Sequence, residues 1–371
     1  MNYAIIGANY GDEGKGLVTD FITRQGNQKV VIRHNGGAQS GHTVEKESGE
    51  RFVFHELSSG SFNGAITYWA HTFYPDLFKL EEELKEFSKV SDIVPKIYAS
   101  AETNITLIFD IIINQHKEMN RGKNRHGSCG MGIWEAKVRT EAGFGITIKE
   151  IQNGTIIDLI TKLDMIKRYY LPKEIDNAQY AVDIFEYAKT IKHAADLVTI
   201  VEDEPTFFKM FDLIVFETGQ GLLLDGDRVD LYPHTTASCT TLKNPVELSK
   251  RYNIYLNEVV YVTRPYLTRH GAGPFVEDKN IKFEDLTNQP NPWQESIRFG
   301  RLDLNELCDR LYADLREDRA LKASLFVTHL DETNGMFYTP DGDITINEAI
   351  KQMYFDTYLC YDKYAINVKK A

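Results

Sequence analysis

The chain lacks the features that would direct it to a membrane, an export route or a nucleic acid. It has no run of about 18 or more apolar residues, and no basic-plus-apolar segment opens it. A membrane span and a secretory signal are therefore not expected. Cysteine is scarce: Cys129, Cys239, Cys308 and Cys360 stand far apart, with no CxxC pair and no histidine at zinc-finger spacing. Reduced thiols in a cytoplasmic protein are the expectation. Positive charge is also short, with 42 Lys and Arg against 54 Asp and Glu, a net charge of −12. Such a balance disfavours nucleic-acid binding through a basic surface but leaves local anion pockets open.

What is present is alternation. Tyr3, Ala4, Ile5 and Ile6 run apolar into glycine, as a buried parallel strand does on entering a loop. A helix is expected from about Gly14 to Thr23, and a second strand, KVVIR, spans 29–33. LEEELKEFSKV and AQYAVDIFEYAKTIKHAADLV carry helical spacing, while DLIVFET, NEVVYVTRPY and ASLFVTHLD read as buried strands. No internal repeat, low-complexity tract or Pro/Ser-rich linker interrupts them. The expected fold is α/β over 1–371: one large domain with a central, mostly parallel sheet, flanking helices and long glycine-rich loops.

Four of those loops carry residues suited to chemistry. GDEGKG, at 11–16, is not a Walker A sequence, because Asn9 stands where that pattern needs glycine. Gly11, Gly14 and Gly16 still free the backbone to wrap an anion at a helix N-terminus, and Lys15 supplies a point charge. Asp12 among phosphates is costly unless it binds a divalent cation or removes a proton. The second loop, GGAQSGHT at 36–43, places His42 among small residues straight after a strand. HGSCGMGIWEAKVR offers an anion nest at 127–132 with Ser128 and, nearby, Arg139. FETGQGLLLDGDRVDLYPHTTASCTT flanks Gln220 with glycines and adds a hydroxyl-rich run at 235–241. Loops at the ends of parallel strands converge on one polar cleft.

These loops resemble the adenylosuccinate synthetase family. The family's WGDEGKGK is YGDEGKGL here, its GGxNAGHT is GGAQSGHT, and its GTTGRGI is GSCGMGI. VFHELSSG, ETGQGLLLD with YPHTTAS, TRHGAGPF and THLD follow in unchanged order. The resemblance implies a fold related to P-loop nucleotide triphosphatases. It also implies a ligase that condenses L-aspartate with a 6-oxopurine nucleoside monophosphate through a 6-phosphoryl intermediate, using Mg²⁺ and a nucleoside triphosphate.

Residue by residue, the resemblance makes Asp12 the base and a metal ligand, with the Gly41 carbonyl as second metal contact. His42, Lys15 and Gln220 join Asp12 as the catalytic set. Gly11, Glu13, Gly14, Lys15, Gly16, Gly41, His42, Thr43, Thr328 and Asp331 would hold the triphosphate. Asp12, Gln39, Gly127, Ser128, Cys129, Arg139, Gln220 and Thr236 would hold the purine monophosphate. The family is dimeric, and Arg139 stands near the arginine that reaches the neighbouring subunit's site.

The match weakens at the family's aspartate loop, TGRxRRTGWLD. Here NPWQESIRFGRLD stands in its place, Glu295 falls on the first arginine, and Arg298 alone remains of the cluster. Gln294, Ser296 and Arg298 are the candidates for binding aspartate. A carboxylate cannot replace a guanidinium that binds carboxylate, so sugar recognition must differ too. The NPWQ-type loop is similar to the family's viral branch, which acts on dGMP toward 2-aminoadenine in DNA and would work in a host cytoplasm. That branch's best-known members carry serine where Asp12 stands, so an inosinate enzyme remains the alternative. His329 replaces the family lysine beside the base, and ATP and GTP both stay open. A nucleotide sensor with a decayed site and a GTPase-like switch are rivals from other classes; neither needs aspartate.

Overall fold

The computed structural model describes residues 1–171, 175, 181–288, 292–293 and 296–371. Its frame is a ten-stranded sheet. In chain order the strands are β1 (Asn2–Gly7), β2 (Lys29–Arg33), β3 (Ile66–Trp69), β4 (Ile97–Ser100), β5 (Val198–Val201), β6 (Leu213–Gly221), β7 (Glu258–Thr263), β8 (Lys322–Val327), β9 (Asp356–Cys360) and β10 (Val368–Lys370). Across the sheet they lie β10-β9-β8-β7-β1-β6-β2-β3-β4-β5. Every neighbouring pair is parallel except β9 with β10.

Parallel strands covered on both faces need apolar side chains on both, which explains why β1, β2 and β7 read as unbroken hydrophobic runs. Ala4, Ile5, Ile6, Val30, Val31, Ile32, Val259 and Tyr261 are completely buried. The expected mostly parallel α/β sheet is the one observed. The first helix spans Lys15–Thr23. The helix expected from LEEELKEFSKV begins earlier, at Leu77, because the Asp76 carboxylate accepts from the N–H groups of Phe78 and Lys79 and caps it there. Asp183 sets the start of Ile184–Ala195 in the same way. Among the described residues no helix is long and apolar enough to cross a membrane.

Two consequences position the site. All the parallel strands end at one edge, so the loops after β1, β2, β6, β7 and β8 meet there. In addition, β1 and β6 converge where Gly7 pairs with Gly221. A Cβ on Gly7 would lie 2.6 Å from the Gln220 carbonyl oxygen and 2.4 Å from Glu13 Oε2, so only glycine fits.

Candidate functional site

The first loop turns through left-handed backbone at Gly11 (φ 99°), Asp12 (φ 62°) and Gly14 (φ 89°) before the helix begins. Glu13 is its internal organiser. Its Oε1 accepts from the N–H groups of Asn9 at 2.9 Å and Gly11 at 2.8 Å, and its Oε2 accepts from Lys15 Nζ at 3.0 Å. Glu13 is 1% and Lys15 4% exposed. The Glu13 carboxylate therefore faces its own loop, and any contact of Glu13 with a triphosphate would have to come from its backbone. The Thr328 hydroxyl donates to the Glu13 carbonyl at 2.7 Å, locking the β8 loop onto the first.

The second loop runs from β2 into the hairpin His42–Glu45 and Arg51–Phe54. Arg33 ends β2 in register with Glu217 on β6, so parallel pairing sets guanidinium beside carboxylate. Arg33 Nη1 donates to Glu217 Oε2 at 3.1 Å and lies 2.9 Å from His42 Nδ1. The same ring nitrogen is 3.0 Å from Glu217 Oε1. Burial pushes the His42 pKa down to about 4, against the pull of Glu217. Burial opposes the charge on Glu217, but the adjacent His42 and Arg33 overcome it and hold its carboxyl below the usual range. The outer ring nitrogen, Nε2, is buried with no hydrogen-bond partner among the described residues.

Two cavities open on this framework. One, of about 250 Å³, is lined by Asp12, Gly14, Lys15, Gly16, Gly41, His42, Thr43 and Asp331. It therefore gathers most of the residues expected around a triphosphate. The other, of about 200 Å³, is lined by Gln39, Gly127, Ser128, Cys129, Gln220 and Thr236. These are residues expected around the purine monophosphate. Gln220, in the second cavity, takes a left-handed backbone with φ 63°, and a Cβ added to Gly11 would lie 3.4 Å from its Cα. The amide oxygens of Gln39 and Gln220 are buried without partners among the described residues. Ser128 donates to Asn114 Oδ1 at 2.7 Å, and burial pushes the Cys129 thiol up to about 11. Thr236 faces Ser238, and Thr43 faces Thr287 at 2.7 Å. Asp12 belongs to the first cavity, and burial raises its carboxyl pKa against the lowering field of Arg264.

Arg139 needs a correction. It is completely buried, and its guanidinium is bound to both Asp110 oxygens and to the carbonyls of Ile105 and Phe144. It lines neither cavity and cannot reach a neighbouring subunit. Of the candidates for aspartate, Gln294 lies outside the described residues. Ser296 is exposed and away from both cavities. Arg298 pairs across strands with Arg269, sits 5.2 Å over the Phe275 ring and donates to the carbonyls of Gly271 and Gly273.

Several site residues escaped the sequence reading. Arg264 donates to the Asp12 carbonyl at 2.6 Å and pairs with Asp285 at 3.4 Å. Arg51 reaches Thr287 from the hairpin at 2.6 Å. The signal for Arg264 was a charged residue just past the end of a buried strand, and for Glu217 a charged residue in the middle of one.

A divalent cation fits the oxygen donors present. Asp12 and Gly41 line one cavity beside the loop lysine, and Mg²⁺ takes few protein ligands, completing its shell with water and phosphate oxygens. Among the described residues no group of three or more His, Cys, Asp or Glu is placed to hold a metal without such help.

Comparison with known proteins gives the family and the fold. The family profile described as adenylosuccinate synthetase matches residues 4–298. The adenylosuccinate synthetase of Thermoanaerobacter sp. strain X514 is 30% identical over 290 residues, covering 75% of this chain and 66% of that protein. The chain thus spans just under two thirds of that relative. Among solved structures, fully ligated adenylosuccinate synthetase from Plasmodium falciparum shares the fold with a TM-score of 0.70 at 22% identity, over 89% of this chain and 77% of that one. The succinoaminodeoxyadenylate synthetase of cyanophage S-2L, solved bound to dGMP and to dATP as an energy donor, does so with a TM-score of 0.65 at 16% identity, over 100% and 95%.

Proposed function

Because this chain belongs to the adenylosuccinate synthetase family, we propose that it is a carbon–nitrogen ligase joining the amine of L-aspartate to C6 of a 6-oxopurine nucleoside monophosphate. The monophosphate is dGMP, and ATP or GTP drives the reaction. The observation that carries the chemistry is the shared cavity of Asp12 and His42, with Lys15 between glycines at its base. A carboxylate whose pKa is raised suits a base that must take a proton near neutral pH.

Asp12 takes the proton from purine N1, making O6 the nucleophile on the γ-phosphorus; the bond from that phosphorus to the β–γ bridging oxygen breaks, and the nucleoside diphosphate leaves. His42 Nε2, buried and without a partner among the described residues, faces the oxygens that gain charge. Lys15 offsets the phosphate charge, and the amides of Gln39 and Gln220, their oxygens without partners among the described residues, orient the nucleotide. Bound Mg²⁺, held by Asp12 and the Gly41 carbonyl, would neutralise charge on the phosphates. The aspartate amine then attacks C6, and inorganic phosphate leaves with O6.

The preference for dGMP is supported by the departure at 291–303, where Glu295 and Arg298 replace an arginine cluster. Losing a donor that pairs with the 2′-hydroxyl stops penalising a sugar without it. The retained Asp12 favours a second reading, action on IMP with GTP. Aspartate-dependent phosphate release from IMP, GMP, dIMP and dGMP, with mass detection of the succinylated product, separates them. Turnover of dGMP well above IMP and GMP is expected; efficient IMP turnover without dGMP turnover establishes the second reading.

A further inference from the structure

Glu217 lines neither cavity, yet it is a carboxylate 1% exposed, set against a guanidinium equally buried. Burying such a pair costs several kcal/mol of desolvation, and apolar side chains of similar size often replace it without loss. Strand pairing alone does not require it. What the arrangement does accomplish is local. Glu217 Oε2 is pinned by Arg33 Nη1 and by the Ser59 N–H at 3.3 Å. Arg33 is in turn held by Ser40 Oγ at 2.6 Å and the His55 carbonyl at 2.8 Å. Glu217 Oε1 is left with the His42 ring nitrogen 3.0 Å away.

We infer that Glu217, anchored by Arg33, is the positioning residue for His42: it fixes the imidazole plane so that Nε2 faces the first cavity, and it affects the reaction only through that ring. The Nδ1 edge lies between a donor, Arg33 Nη1, and an acceptor, Glu217 Oε1. Arg33 can only donate, so Nδ1 accepts from it and the ring hydrogen sits on Nε2, while the Glu217 carboxylate that anchors Arg33 also lies against the Nδ1 edge. This inference rests on the reading of His42 as the group that faces the transferring phosphoryl oxygens.

The test is a double-mutant cycle with Glu217→Gln, His42→Ala and the double variant, read by aspartate-dependent phosphate release with dGMP and ATP. Glu217→Gln is expected to lower kcat by about 100-fold. The KM values for aspartate and ATP should stay within about threefold, as for a group acting in the transition state only. The double variant should be no slower than His42→Ala. Losses that multiply, or a Glu217→Gln enzyme with wild-type kcat, overturn the inference. Should Glu217→Gln fail to fold, Glu217→Asp keeps the charge and withdraws the oxygen, and the same cycle applies. A wild-type protein without aspartate-dependent release defeats the functional reading itself; an active wild type with multiplying losses defeats only the role of Glu217.

Discussion

Glu13 and Lys15 form a buried ion pair inside the first glycine loop, Oε2 to Nζ at 3.0 Å, while the other carboxylate oxygen takes two backbone N–H groups. Removing one charge of such a pair is unequal in its effects. Glu13→Gln leaves a buried ammonium unmatched and should destabilise the protein by about 3 kcal/mol. Lys15→Met leaves a carboxylate still bound by the backbone and should cost roughly 1–2 kcal/mol. Urea unfolding of the two variants measures this, and a costlier Lys15→Met would refute the organising role given to Glu13.

Arg139 has a structural task. Arg139→Ala strands the buried Asp110 carboxylate and should lower stability by about 3–5 kcal/mol. Arg139→Lys should recover only part of this, since one ammonium cannot reproduce contacts made by three nitrogens. Mixing Arg139→Ala with Asp12→Ala subunits should restore no activity. Recovered turnover after subunit exchange would return Arg139 to a shared site.

Glu56, Asp76 and Glu83 form a buried acidic cluster. Burial lifts Asp76 to about 6 and Glu83 to about 7, and with its two acidic neighbours raises Glu56 well above its ordinary value. Folded-state values above unfolded ones mean that folding takes up protons. The stabilising contribution is complete below the unfolded carboxylate range, near about pH 4. It is lost as pH rises through about 6 and about 7. Tm should therefore fall between about pH 4 and about pH 7, and Glu56→Gln should flatten that fall. A variant with the wild-type slope would show that Glu56 holds no proton.

Gly7→Ala tests the convergence of β1 and β6. Its Cβ would meet Glu13 Oε2, the Gln220 carbonyl and Lys15 Nζ at 2.4, 2.6 and 2.7 Å. Loss of measurable turnover is expected, with a Tm several degrees lower. Full activity in this variant would mean that the loops yield more readily than their packing indicates.

Much of this was legible in the sequence, for a physical reason. Strands buried on both faces must be apolar throughout, so β1, β2, β6, β7 and β8 were visible as runs ending in glycine or polar loops. The residues of those loops divide between two cavities much as the motifs do. What stayed hidden depends on partners that sequence spacing does not reveal. Arg139 sits 29 positions from Asp110, and Arg33 sits 184 from Glu217, so nothing local marks either as a buried pair. The task of the Glu13 side chain was hidden although it is local: two of its three partners are backbone N–H groups within four positions, and the internal hydrogen bonds of a short turn leave no mark on residue spacing.

The strand order has a consequence for how the protein comes to be made. β1 leaves the ribosome first, yet its two neighbours in the sheet are residues 213–221 and 258–263. The first glycine loop therefore waits through more than half the chain before its walls exist, an assembly dominated by distant contacts and correspondingly slow. A nascent chain stopped before β7 carries Asp12, Lys15 and His42 but lacks Arg264 and one of the strands flanking β1. The loop synthesised earliest is among the last parts of the molecule to take its working shape.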